Sequence, residues 1–333
     1  MAGTMTGTAD RISAPAMVEA PMAGSQLALA LDSPLIGKVK NDRLVMVFNF
    51  FALSKETVTE LPVYDDGTVR IEVTGTKHGV ANIWDKEVLI YLVSLIQDKL
   101  NRGEPVSPRL TFTGHDFFRV VGIHATNTAY QRLEDALKRL QSTQVLTNLE
   151  TGGEGETGAF SWVLDYRINY RRDKDGGKTM KSLTVQLCDW LYRAVVKDRK
   201  ILTYHPDYFK LSPTEKRLYE IARAHCGNQG AFKMNIEKLR LRVGAESDLK
   251  VFKARLVALA KKRQALPEYG LTVVDPRRWG RDRNAPPPPG RTPLKSHMVY
   301  FFRTDSLSAM APFDQAPEFP DAQPDMMMGD LAA

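Results

Sequence analysis

The chain has 333 residues, 43% hydrophobic and 26% charged, with a net charge of +7. That is room for about two soluble domains. No run approaches the ~18 unbroken apolar residues of a membrane span, the first residues lack a basic-then-apolar signal pattern, and Cys188 and Cys226 are too few for a disulfide framework, so the expectation is a cytoplasmic chain without a membrane partner.

Charge is unevenly spread. Residues 1–33 hold 1 basic and 3 acidic side chains and 303–333 hold 1 and 6, which leaves 44 basic against 30 acidic in 34–302. The basic part is the part patterned to fold, and that favours a polyanionic partner. Residues 1–43 begin rich in Ala, Gly, Met and Ser without a period, and with the acidic 304–333 they are expected to be disordered tails.

In chain order, LVMVFNFFAL and TVRIEVTG in 44–75 read as strands on either side of the DDG turn at 65–67. Ile83–Gln97 is apolar around much of its circumference, which implies a buried helix starting at an Asp85 cap. Residues 110–143 then read as a short helix capped by Thr113, a turn at Gly122, and a longer helix over 127–141. Two strand-like runs joined by a Gly-rich tip follow in 145–170, a hairpin placed as the wing of a winged helix would be; KSLTVQL is a possible third strand. Its tip carries Glu154 and Glu156 and is not expected to grip phosphate. Ser212-Pro213-Thr214-Glu215 is a helix start with cap, N1 proline and capping-box glutamate, and that helix is expected to end at Gly227.

Residues 232–263 repeat the earlier unit. At a constant offset of 122, Thr113 meets Asn235, Val121-Gly122 meets Val243-Gly244, Tyr130 meets Phe252, and Ala136-Leu137 meets Ala258-Leu259. A recurring cap, turn glycine and aromatic anchor fit a duplicated helix-turn-helix. In the second copy Leu249, Phe252, Leu256 and Leu259 share one face, and Ser247 or Asp248 caps the helix. Lys250, Lys253, Ala254 and Lys261 are the candidate DNA contacts, the first three for bases and Lys261 for phosphate. In the first copy the candidates are Thr128, Gln131, Arg132 and Arg139, weakened by Asp135 on the same face. A last hairpin, LPEYGLTVV and MVYFF, is a second wing with a long tip in which Arg277, Arg278, Arg281 and Arg283 are candidate phosphate contacts. An amphipathic hairpin with a solvated charged face, and a charged soluble loop, are the plainer readings of these stretches.

Catalytic apparatus is not legible. There is no G-x-x-x-x-G-K-[ST], and the six histidines are scattered without H-x-H or H-E-x-x-H. His225 beside Cys226 is at most half a metal site. No cofactor is expected, and no enzyme.

HGVANIWDKEVLIY at 78–91, YQRLEDALKRLQST at 130–143, DWLY at 189–192, ILTYHPDYFKL at 201–211, EKRLYEIARAHCG at 215–227 and LPEYGL at 266–271 together resemble the plasmid replication initiator protein A family, over about 46–275. The Arg/Pro insertion at 275–297 departs from it. The resemblance implies two winged-helix domains that bind repeated origin sequences, self-association as monomer and dimer, and host replication proteins (initiator and helicase) as partners. The expectation is an α+β protein of two tandem winged-helix domains related by internal duplication, 44–190 and 191–303, that binds double-stranded plasmid origin DNA and starts replication by assembly and distortion. A transcriptional repressor of the same fold is the alternative binding module, and a strand-nicking initiator the enzyme alternative.

Overall fold

The computed structural model describes residues 31–305 except 156, 157, 173, 175, 228, 229, 263, 264, 279–285, 287 and 288. The tails expected to be disordered lie outside these residues, apart from 31–43, 304 and 305. Residues 31–43 are a correction, because they are packed. Leu35 is buried, its N–H donates to Asp116 at 3.2 Å, and Asp32 pairs with Lys99 at 2.6 Å.

Among the described residues the first elements are β1 (Lys40–Asp42) and α1 (Arg43–Val47). LVMV was expected as a strand; it is helical because Asp42 accepts the N–H groups of Leu44 and Val45 at 2.8 and 3.4 Å. A cap inside the chain thus overrides the β-branched preference of the run. The hairpin β2 (Tyr64–Asp65) and β3 (Arg70–Thr74) follows, with the DDG turn between them.

The first unit then runs α2 (Lys86–Asn101), β4 (Arg109–Phe112), α3 (Gly114–Val121), α4 (Asn127–Ser142), β5 (Gln144–Thr147), β6 (Ala159–Ser161), β7 (Val163–Arg172) and β8 (Lys178–Leu187). Every residue of α2 from Lys86 to Ile96 is buried, as its all-round apolar sequence implies. Asp85 does not cap it through its side chain; that carboxylate instead accepts from Asn82 N–H at 2.9 Å and from Arg139.

A bridge of α5 (Asp189–Arg193) and β9 (Ile201–Thr203), the latter paired with β1, leads to the second unit. That unit is α6 (Pro213–Cys226), β10 (Ala231–Asn235), α7 (Ile236–Val243), α8 (Leu249–Ala260), β11 (Tyr269–Val274) and β12 (Met298–Arg303). Glu215 accepts from the Ser212 N–H and hydroxyl at 3.1 and 2.7 Å, the capping box read from the sequence.

The strand orders are β4-β8-β7 in the first unit and β10-β12-β11 in the second. The first therefore has its hairpin between β7 and β8. The hairpin expected in 145–170 forms between β5 and β6, but its placement as the wing is a correction, because it belongs to a separate sheet of order β2-β3-β5-β6. The reason is packing. Val73 and Val145 are buried partners across β3 and β5, and Phe160 and Trp162 close onto Trp190 with ring centroids 5.1 and 6.1 Å away.

The units meet across a buried ionic seam between α2 and α6. Lys86 lies 2.7 Å from Glu220, and Lys216 pairs with Glu87. Glu220 also takes Arg217 and the hydroxyls of Tyr204 and Tyr208, both at 2.8 Å. Arg217 donates onward to the carbonyls of Met46 and Arg242, each at 3.0 Å. All four charged helix residues and Arg217 are buried, so each charge requires these partners.

Candidate nucleic-acid interface

Each unit builds a helix-turn-helix by the same local means. Thr113 accepts the Asp116 N–H at 3.1 Å to start α3, and Asn235 accepts from Glu237 and Lys238 at 2.9 and 3.3 Å to start α7. Both first helices end on a glycine with positive φ, 74° at Gly122 and 77° at Gly244. Only glycine takes that conformation without strain, and it turns the chain into the second helix. α3 and α7, and the starts of α4 and α8, are displaced by 122 residues, as read from the sequence.

On α8, Phe252, Leu256 and Leu259 are buried, while Lys250, Val251, Ala254, Arg255, Ala258 and Lys261 are exposed. Arg255, also exposed, was not among the sequence candidates. Lys250, Lys253, Ala254, Val257, Ala258, Lys261 and Leu294 line one open groove of about 510 Å3. Lys253 is half-buried. Its ammonium lies 2.6 Å from His297 Nε2, and His297 Nδ1 lies 3.2 Å from the Pro293 carbonyl. With Nδ1 donating to that carbonyl, Nε2 accepts from Lys253. Burial holds this ammonium below the ordinary lysine range, with Asp275 pulling it back up. Asp248 precedes α8 without a side-chain cap bond.

On α4, Thr128, Gln131 and Arg132 are exposed. Gln131 donates to Asp135 at 3.3 Å, and Lys138 answers Glu134 and Asp135 at 3.0 and 3.3 Å. Arg139, expected among the DNA contacts, grips both Asp85 oxygens with its guanidinium, at 2.7 and 2.8 Å, and so ties α4 to the start of α2. Arg277 is likewise engaged internally. It pairs with Asp275 at 3.1 Å and donates to the Pro289 and Gly290 carbonyls at 3.0 and 3.1 Å, closing the neck of the second hairpin. Together with the Thr292 hydroxyl it holds the Asp275 carboxyl far below the usual range. The Arg278 side chain, Arg281 and Arg283 lie outside the described residues.

The first hairpin adds residues that the sequence reading missed. Arg167, Arg171, Arg172, Lys174, Lys178 and Lys181 are all exposed along β7, β8 and the turn between them. Lys178 lies over the Tyr170 ring at 4.7 Å. The alternation in DYRINYRR ahead of a Gly-Gly turn was the available signal. The acidic Glu154, taken as the tip of this wing, instead pairs with Lys197 at 2.5 Å beside α5. Among the described residues there is no metal-holding cluster of His, Cys, Asp and Glu, and no helix long and apolar enough to cross a membrane.

The model of the family described as replication initiator protein A matches residues 40–271. A relative from Wigglesworthia glossinidia brevipalpis, named "Putative replication protein", is 34% identical over 243 residues, covering 72% of this chain and 86% of its own length. Among solved structures, domains 2 and 3 of RctB are similar with a TM-score of 0.52 at 14% identity, over 77% of this chain and 95% of that one. The Pi initiator protein in complex with iteron DNA has a TM-score of 0.43 at 17% identity, over 73% and 99%. The likeness to RctB is one of fold, α+β; the family match spans both helix-turn-helix units, and the chain belongs to the replication initiator protein A family.

Proposed function

We propose that the chain is a plasmid replication initiator whose two units are tandem winged-helix domains, about 44–190 and 191–303, related by internal duplication. They bind repeated origin DNA sequence-specifically, and replication starts by assembly and DNA distortion rather than by bond chemistry. Self-association and contacts to host replication proteins belong to the same proposal.

The observation that carries it is α8. It is the second helix of a helix-turn-helix, buried on its apolar side, with Lys250 and Lys261 at opposite ends of an exposed groove. That is how a recognition helix meets a major groove. Family membership supplies replication as the setting, and the shared strand order with the 122-residue displacement supports duplication.

The test is a footprint of the full chain on the DNA flanking its own gene. Evenly spaced protected repeats are the expected result. Lys250→Ala is expected to lose roughly 1–3 kcal/mol of preference for such a repeat over random duplex. An equal loss on both would make Lys250 a phosphate contact. A nicking assay on supercoiled origin DNA is expected to leave the DNA closed; a nick would replace the mechanism with bond chemistry.

A further inference from the structure

The chemistry of the α8 groove limits what it can read. From Leu249 to Lys262 the sequence LKVFKARLVALAKK holds no Asn, Gln, Ser, Thr, Asp, Glu or His. No side chain of this helix can make the two-way amide contact that identifies adenine, or accept from the cytosine amino group. What remains are Lys and Arg donors for acceptors, and carbon. The carbon is gathered in one place: Ala254, Val257 and Ala258 from α8 and Leu294 from beside the hairpin line the groove between Lys250, Lys253 and Lys261. His297 holds Lys253 along this wall, which keeps the apolar floor framed by ammonium groups.

An apolar floor bordered by cations fits one feature of a duplex. The polyanionic backbone matches the lysines, and the one base-edge group in the major groove that prefers carbon to water is the pyrimidine 5-methyl. Resting on the DNA-binding reading above, we propose that α8 recognises its site by burying 5-methyl groups of thymine in the groove formed by Ala254, Val257, Ala258 and Leu294. Lys250 and Arg255, both exposed, supply donors to neighbouring guanine or phosphate acceptors. α4, which presents Thr128, Gln131 and Arg132, has the polar readers that α8 lacks, so the two helices read different base chemistry.

The experiment uses the full chain and a random-sequence duplex library. The tightest duplex selected is resynthesised with each thymine replaced in turn by deoxyuridine, which removes the methyl and leaves the base pairing. One or more positions are expected to weaken binding by about fourfold each, the worth of burying one methyl-sized group. Replacing deoxyuridine at those positions by cytosine opposite guanine, with and without a 5-methyl, separates the methyl from the thymine carbonyl: the methylated base is expected to bind better. In the more polar variant Val257→Ser/Ala258→Ser the deoxyuridine penalty is expected to shrink toward unity. Full affinity for uracil duplexes overturns the proposal while DNA binding stands. A penalty that persists unchanged in the variant overturns its assignment to α8. Failure to select any duplex removes the DNA-binding reading and this inference with it.

Discussion

α4 and α8 hold the same place in their units, yet matched positions on them have opposite fates. At the shared offset Leu133 corresponds to Arg255, Ala136 to Ala258 and Arg139 to Lys261. Leu133 and Ala136 are buried, while Arg255 and Ala258 are exposed. The difference is what covers them. In the first unit Asn82, Trp84, Asp85 and Val88 close over Ala129, Leu133, Ala136 and Arg139, leaving a cavity of about 340 Å3. In the second unit Arg255 and Ala258 stay exposed, while Leu294 and His297 stand on the Lys253 side of α8 and Glu215 reaches Lys262, just past the helix, at 2.8 Å. A helix-turn-helix position is therefore not by itself a binding face. The flank of α4 that carries Leu133, Ala136 and Arg139 is tied into its own protein and the matched flank of α8 is presented, so the second unit is expected to dominate DNA recognition.

The largest effect is expected where the two units are joined. Glu220→Gln leaves Lys86 and Arg217 buried without their carboxylate, and roughly 3–5 kcal/mol of stability should be lost. Because the seam includes both α2 and α6, urea unfolding followed by tryptophan fluorescence and by circular dichroism should give coincident transitions in the unaltered protein. Tryptophans 84, 162 and 190 report the first unit and bridge, and the fourth, Trp279 of the second unit, is replaced by Phe for this measurement. Separate transitions would show that the units are energetically independent, and the contrast between them would then be one of two unlinked modules.

The same seam gives a pH signature. Burial pushes the Glu87 carboxyl up to about 7, with Lys216 pulling it down. The folded protein keeps this proton where the unfolded chain releases it near 4.5, so stability should fall as pH rises from about 4.5 to 7. Asp42, pushed up to about 6 by burial, acts with the same sign. Lys86, depressed to about 7 by burial, acts above neutrality, where stability should recover as the unfolded chain approaches its own pKa of 10.5. Glu87→Gln should flatten the fall without abolishing it, read as urea midpoint against pH. An unchanged slope would mean that Glu87 is ionised throughout.

Arg139→Ala tests the cover on α4. It leaves the buried Asp85 with only its contact to Asn82, and roughly 2 kcal/mol of stability should be lost. DNA affinity at equal folded fraction should not change. A selective loss of DNA affinity would instead place this arginine on the duplex.

Much of this was legible beforehand because it is local. The Thr113 and Asn235 caps, the glycine turns and the 3.6-residue apolar faces are set by neighbours in sequence, and they came through intact. What was not legible depends on distant partners. The offset alignment holds through α4 and α8 and then breaks, because the first unit inserts β5 and β6, and no local pattern announces that β5 pairs with β3. Arg139 and Arg277 look like any exposed arginine until Asp85 and the Pro289 carbonyl are brought beside them. The seam was invisible for a related reason: α2 reads as buried from its own sequence, but that Glu220 and Lys216 of α6 are the partners of Lys86 and Glu87 is decided only by the fold.

The smallest expected effect separates the two candidate wings of the first unit. If the β7–β8 hairpin tracks the backbone, Arg172 at its exposed end neutralises about one phosphate. Arg172→Ala should then flatten the slope of log affinity against log salt by roughly 0.9, equally on origin repeats and on random duplex, because a phosphate contact carries no sequence information. Glu154→Ala, on the β5–β6 connection, should leave the slope alone, since that carboxylate is paired with Lys197 away from the hairpin. The two variants are matched controls for each other, one removing a cation and one an anion. A slope that responds to Glu154→Ala and ignores Arg172→Ala would put the β5–β6 side of the unit against the DNA. The basic hairpin would then face elsewhere, and the first unit would present a different surface to the duplex from the second.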